Sequence, residues 1–181
     1  MKRLLIAALV CATTFGSSAV LAQNIGNPTQ TLDLSGGSGF FGDTFAANNG
    51  GATFTDRFNF AVTGTQPLSL AAVVATNSLT GATGLGITGL SLYDVGGGTV
   101  VTSGTSQNSG ALDVWTLTST NLAAGNYYLK VSGNVLSNES ASFGGAASLV
   151  PVPEPETYGM MLGGLGILAW LARRRRGAGR S

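Results

Sequence analysis

The stretch that most limits the fold is Leu122–Gly133, which reads Leu-Ala-Ala-Gly-Asn-Tyr-Tyr-Leu-Lys-Val-Ser-Gly. Apolar residues recur there at every second position. Tyr127, Leu129 and Val131 therefore share one face of an extended strand, with Tyr128 and Lys130 on the other. Gly125 supplies the turn that precedes it. Between Gln23 and Val150 no helical period of ten or more residues occurs. A chain patterned this way pairs strands instead of packing helices.

The same alternation marks further strands. Thr29–Leu34 reads as the first, followed by a Gly/Ser loop at Ser35–Gly39. Phe40–Phe45 and Thr53–Phe60 follow, separated by the loop Ala46–Gly51. Leu68–Thr76 is apolar and predicts a buried strand. Leu85–Asp94 alternates again, and Val95–Gly98 turns it into Thr99–Thr102 as a hairpin. Ala111–Thr118 and Ser140–Val150 complete the set. No helix follows the glycine runs, so they do not form a phosphate-binding loop. Many short strands joined by glycine-rich turns predict an all-β fold, an antiparallel β-sandwich of jelly-roll or immunoglobulin-like type. The pattern Leu122-x-x-Gly125-x-Tyr127-x-Leu129-x-Val131 resembles the late strand of many bacterial β-sandwiches, one that carries a tyrosine corner.

Charge and reactive residues limit the chemistry. Residues 23–150 carry Asp33, Asp43, Asp56, Asp94, Asp113 and Glu139 against Arg57 and Lys130. An acidic body with two cations is a poor match for nucleic acid, because phosphate contacts need lysine and arginine. The chain has no histidine, and its one cysteine, Cys11, lies near the N-terminus. Disulfides, thiol nucleophiles and thiolate metal sites are thereby excluded from the body, along with the commonest general base.

Two segments share a spacing. Phe41-Gly42-Asp43-Thr44-Phe45 and Phe54-Thr55-Asp56-Arg57-Phe58 are both Phe-x-Asp-x-Phe. In a strand, Phe54, Asp56, Phe58 and Phe60 share one face, with Thr55, Arg57 and Asn59 opposite. A carboxylate on a phenylalanine-lined face is costly unless it is hydrogen-bonded or sits at a rim. The simplest expectation is structural: Asp43 caps a turn, and Asp56 accepts backbone N–H bonds at a sheet end. The other readings are a calcium site and a pair of hydrolytic carboxylates.

The two ends carry addresses. In residues 1–22, Lys2 and Arg3 precede the apolar run Leu4–Ala12, and Val20-Leu21-Ala22 closes a secretory signal peptide, expected as a short helix. At the other end, residues 151–157 form a Pro-rich linker containing Pro153, Glu154 and Pro155. The prolines hold this linker extended, and no helix can begin before Pro155. Residues 158–172 are uncharged and read as a single transmembrane helix. As a helix they span about 22 Å against a bilayer core of about 30 Å. Tyr158 and Trp170 at the interfaces and snorkelling arginines would cover the difference. Arg173, Arg174, Arg175 and Arg176 open the basic tail, residues 173–181, and would hold it in the cytoplasm.

Residues 152–176 resemble the PEP-CTERM sorting signal in the order and spacing of the Pro-Glu-Pro motif, apolar helix and arginine cluster. The resemblance implies recognition and processing by an exosortase. It also implies delivery through the inner membrane to the surface or matrix of a Gram-negative cell that makes exopolysaccharide. The paired motif resembles the FxDxF subgroup of these proteins, which implies a small all-β surface protein and transfers no catalytic residue. The expected function is thus an exported, non-enzymatic surface or matrix protein without cofactor or metal. The runner-up is a carbohydrate-binding module using Tyr93, Trp115 and Tyr128 as platforms. An adhesin-like subunit would need an exposed sheet edge that receives a donor strand.

Overall fold

A computed structural model describes residues 23–76, 83–152 and 155–177. The signal segment 1–22, with Pro153 and Glu154 of the linker, lies outside the described residues. Among the described residues, ten strands precede one helix. They are β1 (Gln30–Thr31), β2 (Ser38–Phe45), β3 (Thr53–Val62), β4 (Leu68–Thr76) and β5 (Leu85–Asp94). β6 (Val100–Ser103), β7 (Thr105–Asn108), β8 (Val114–Leu122), β9 (Gly125–Val135) and β10 (Ala141–Pro151) follow, then α1 (Pro155–Gly177).

The strands form two five-stranded sheets, ordered β1-β3-β9-β5-β6 and β2-β10-β4-β8-β7. All pairings are antiparallel except that of β1 with β3. The chain from β2 to β5 changes sheet at every step, so neighbours in sequence face each other across the core instead of sharing hydrogen bonds. This is the expected sandwich.

β9 shows why the sequence folds this way. Its alternation puts Tyr127, Leu129 and Val131 inside, with Tyr128 and Lys130 only half-buried on the outer face. Tyr127 donates its hydroxyl to the Ala123 carbonyl at 3.1 Å, four residues back, which is the geometry of a tyrosine corner. Phe41, Phe45, Phe54, Phe58 and Phe143 fill one region of the interior, and Leu70, Val74, Leu90, Leu92 and Leu117 continue it. Close-packed apolar burial on this scale is the main stabilising term of the domain.

Two strand expectations change. Thr29–Leu34 shrinks to Gln30–Thr31, because this segment meets only the edge of β3, while Leu32 and Leu34 turn into the core. The apolar run Leu68–Thr76 is not buried on both faces. Leu70, Ala72 and Val74 point inward and Val73 outward, because a sandwich covers only one face of each sheet. β7 has no hydrophobic signal in its sequence and exists by pairing with β8.

Candidate functional site

The two Phe-x-Asp-x-Phe segments lie on β2 and β3, in opposite sheets, and meet across the interior. The Phe41 and Phe58 rings are 5.0 Å apart, and those of Phe45 and Phe54 are 4.7 Å apart. The copies therefore run in opposite directions, and Asp43 faces Asp56 between the two ring pairs. The strand pattern places Phe54, Asp56, Phe58 and Phe60 on the inner face as expected, and all four are buried.

The two carboxylates meet on Asn27. Its backbone N–H donates to Asp56 Oδ1 at 2.7 Å, and its side-chain nitrogen donates to Asp43 Oδ2. Asp43 Oδ1 accepts the Thr44 N–H at 2.7 Å. Asp43 is thus mid-strand and caps no turn, contrary to the sequence expectation. Asp56 does accept a backbone N–H, that of Asn27, but it sits within β3 and not at a sheet end.

Asn27 reaches this position because the chain bulges. Asn24 pairs with Thr53 and Gln30 with Phe58, so the N-terminal segment is one residue longer than the β3 stretch it follows. Gly26 permits the approach, since a Cβ there would lie 2.4 Å from the Thr55 carbonyl oxygen. Nothing in the local sequence marks Asn27; only the cross-sheet packing selects it.

Asp56 is 1% exposed, and its Oδ2 has no hydrogen-bond partner. Burial pushes its carboxyl up to about 6, opposed by the Asn27 N–H and assisted by the nearby charge of Asp43. Asp113, the other buried aspartate among the described residues, differs. It accepts the Ile87 N–H at 2.8 Å with one oxygen and the Gly110 N–H at 2.7 Å with the other. Asp113 is a satisfied structural clamp, whereas Asp56 holds one oxygen in reserve. Among the described residues no group of three His, Cys, Asp or Glu gathers at one place.

The three aromatic residues expected to form a sugar platform do not share a face. Trp115 packs against the core and donates its indole N–H to the Ile87 carbonyl at 3.1 Å. Tyr93 and Tyr128 stack on the outer face of the other sheet, 4.9 Å apart and within 4° of parallel. Arg57 lies 5.3 Å over Tyr128, and Lys130 lies 4.7 Å over Tyr93 while donating to its hydroxyl at 2.8 Å. These contacts occupy ring faces that a stacked sugar would need. The body's two basic residues are gathered in this ladder.

A groove of about 610 Å³ opens at one end of the sandwich, lined by Leu32, Leu34, Phe60, Leu68 and Leu149 among others. Asp33 is the only ionisable residue in its lining, so the paired carboxylates do not open into it.

Pro151 ends β10, and the Val152 N–H still reaches the Pro67 carbonyl at 3.4 Å. α1 then starts at Pro155, the position that tolerates proline because its missing N–H would have no partner there. Met160, Met161, Leu162, Leu165, Ile167 and Leu168 are all exposed and lie all round the helix. The helix therefore has no apolar stripe with which to pack on the sandwich. Arg173 is exposed near its end. A family model for the PEP-CTERM protein-sorting motif matches here, over residues 151–176.

The chain carries a PEP-CTERM sorting signal.

This signal implies export and processing by an exosortase. Its helix corrects one expectation. Among the described residues no helix is long and apolar enough to cross a membrane. The uncharged run Tyr158–Ala172 is short, rich in glycine, and continued by Arg173–Arg176 within the same helix, which lowers its hydropathy.

No curated protein matches the chain in sequence. Solved structures with a loose similarity include these two. One is PliG of Aeromonas hydrophila, a periplasmic inhibitor of g-type lysozyme, at 11% identity and TM-score 0.42, covering 71% of this chain and 99% of that one. The other is the pre-peptidase C-terminal domain of a Bacillus anthracis collagenase, at 13% identity and TM-score 0.36, covering 71% and 97%. Likenesses this loose bear on neither function nor ligand.

Proposed function

We propose that this chain is an exported, non-enzymatic surface or matrix protein of the FxDxF subgroup, released to its destination by an exosortase acting on the PEP-CTERM signal. The observation that carries this reading is the junction at Pro151. The sorting signal begins at the last residue of β10, and among the described residues every buried core residue lies upstream of it. Cutting the tail away leaves the sandwich whole. In this reading Pro153, Glu154 and Pro155 are read by the processing enzyme, and α1 engages the inner membrane only until processing. Its apolar side chains, exposed on all sides, suit lipid better than a protein surface. The body lies on the periplasmic side, where the signal delivers it. The strand order, with β2 beside β10 and β3 beside β9, supports a jelly roll over an immunoglobulin-like sandwich.

Intact mass of the protein recovered from the cell surface, with and without the exosortase gene, tests the proposal. Loss of everything beyond the Pro153–Pro155 region only when the enzyme is present is the expected result. A surface form that keeps Arg173–Arg176 in both strains would overturn it.

The destination also suggests a partner. The Arg57–Tyr128–Tyr93–Lys130 ladder places both cations of an acidic body on one outer face, which suits an acidic exopolysaccharide. A sugar-stacking module is less well supported, because neighbours already cover the tyrosine faces.

A further inference from the structure

We propose that Asp43, Asp56 and Asn27 form a calcium site that ties the N-terminal edge segment to both sheets. Asp56 carries the argument. A buried carboxylate oxygen without a partner is costly, and natural interiors rarely leave one. Asp56 Oδ2 is such an atom, and the ring pairs on either side, with Asn27 bonded to both carboxylates, bring Asp43 close to Asp56. The half-buried Asp43 carboxylate adds like charge beside it, and a divalent cation bound by both carboxylates removes both costs at once.

The donor set selects the metal. All three side chains offer oxygen, and residues 23–181 hold no histidine or cysteine, so soft and transition metals lack their usual ligands. Calcium tolerates irregular geometry and takes about six to eight oxygens, whereas magnesium demands a near-ideal octahedron. Asp43 and Asp56 come from strands in different sheets, an arrangement that favours the tolerant ion. Asn27 can present its side-chain oxygen by turning its amide over, and its exposed position lets water complete the shell. With two charged ligands the site belongs to the weak extracellular class, with Kd roughly 10⁻⁴–10⁻³ M. That range matches calcium outside the cell, where the sorting signal sends the chain, although the geometry itself is independent of the sorting reading.

Equilibrium dialysis of the full-length chain in detergent against radioactive calcium, from a chelator-treated baseline, tests the proposal. One ion per chain is expected, half-saturating at roughly 0.1–1 mM. Asp43→Asn and Asp56→Asn keep the shape of each side chain, and circular dichroism checks that both variants fold. Each should weaken binding at least tenfold, while Asp94→Asn at the exposed hairpin turn leaves it unchanged. Calcium near saturation should also raise the wild-type Tm by a few degrees and leave that of Asp56→Asn where it was. No ion retained at several times the expected Kd would overturn the proposal, as would equal retention by the wild type and the two folded variants.

Discussion

Asp56 gives the domain an unusual pH response. An acid whose folded pKa is raised binds its proton more tightly when folded, so it favours the native state most when protonated. Its unfolded value is near 3.8 and its folded value about 6. In calcium-free solution this group's contribution is fully present below about pH 4 and is lost as the pH rises through about 6. The loss amounts to roughly 1–3 kcal/mol. Asp56→Asn should flatten that part of the profile and be the more stable protein above pH 6, as urea denaturation at several pH values would show. An unchanged profile in the variant would remove Asp56 as its source. Tyr127→Phe tests a different residue: losing the bond to Ala123 should cost about 0.5–1.5 kcal/mol, measured the same way.

β10 is the element on which the second sheet depends, because it pairs with β2 on one side and β4 on the other. Two neighbouring glycines in it have opposite roles. A Cβ at Gly145 would lie 2.5 Å from the Phe41 ring and 2.6 Å from the Val73 carbonyl oxygen, whereas one at Gly144 meets nothing within 4 Å. Gly145→Ala should therefore destabilise the domain by about 1–3 kcal/mol through overpacking. Gly144→Ala should stay within about 0.5 kcal/mol. Chemical denaturation of the pair would check the contrast, and equal effects would show that Phe41 has room to move. α1 is different in kind, since its described side chains pack on nothing in the sandwich.

For the whole molecule, fold and address are separable. Truncation after Val152 removes no core residue and should change Tm by no more than about 2–3 °C. Truncation after Ser140 removes β10, exposes Phe143's partners and splits β2 from β4, so no cooperative unfolding transition should remain. Circular dichroism during heating distinguishes the two. A Val152 truncation that fails to fold would mean that the tail supports the domain and is more than a removable address.

Most of the architecture was legible because its signals are local. Period-two alternation specifies strands one at a time, as in β9, and a glycine or proline fixes each turn or helix start, as at Gly125 and Pro155. The sorting signal is also local: its reader sees a contiguous stretch of chain, so order and spacing suffice. The duplicated Phe-x-Asp-x-Phe spacing was visible too, but its meaning was not. Adjacent strands would ordinarily be read as hairpin partners, whereas β2 and β3 enter different sheets and bring Asp43 against Asp56 through the core. Asn27 and the bulge at Gly26 carry no sequence signal, because their role exists only after β3 is paired and the two sheets are stacked. The same holds for the tyrosine ladder, where outward-facing Tyr93, Tyr128, Arg57 and Lys130 come from three strands far apart in sequence. Local periodicity and motif order determined the sandwich class and the address. Contacts between distant strands, which no short stretch encodes, decided which residues meet.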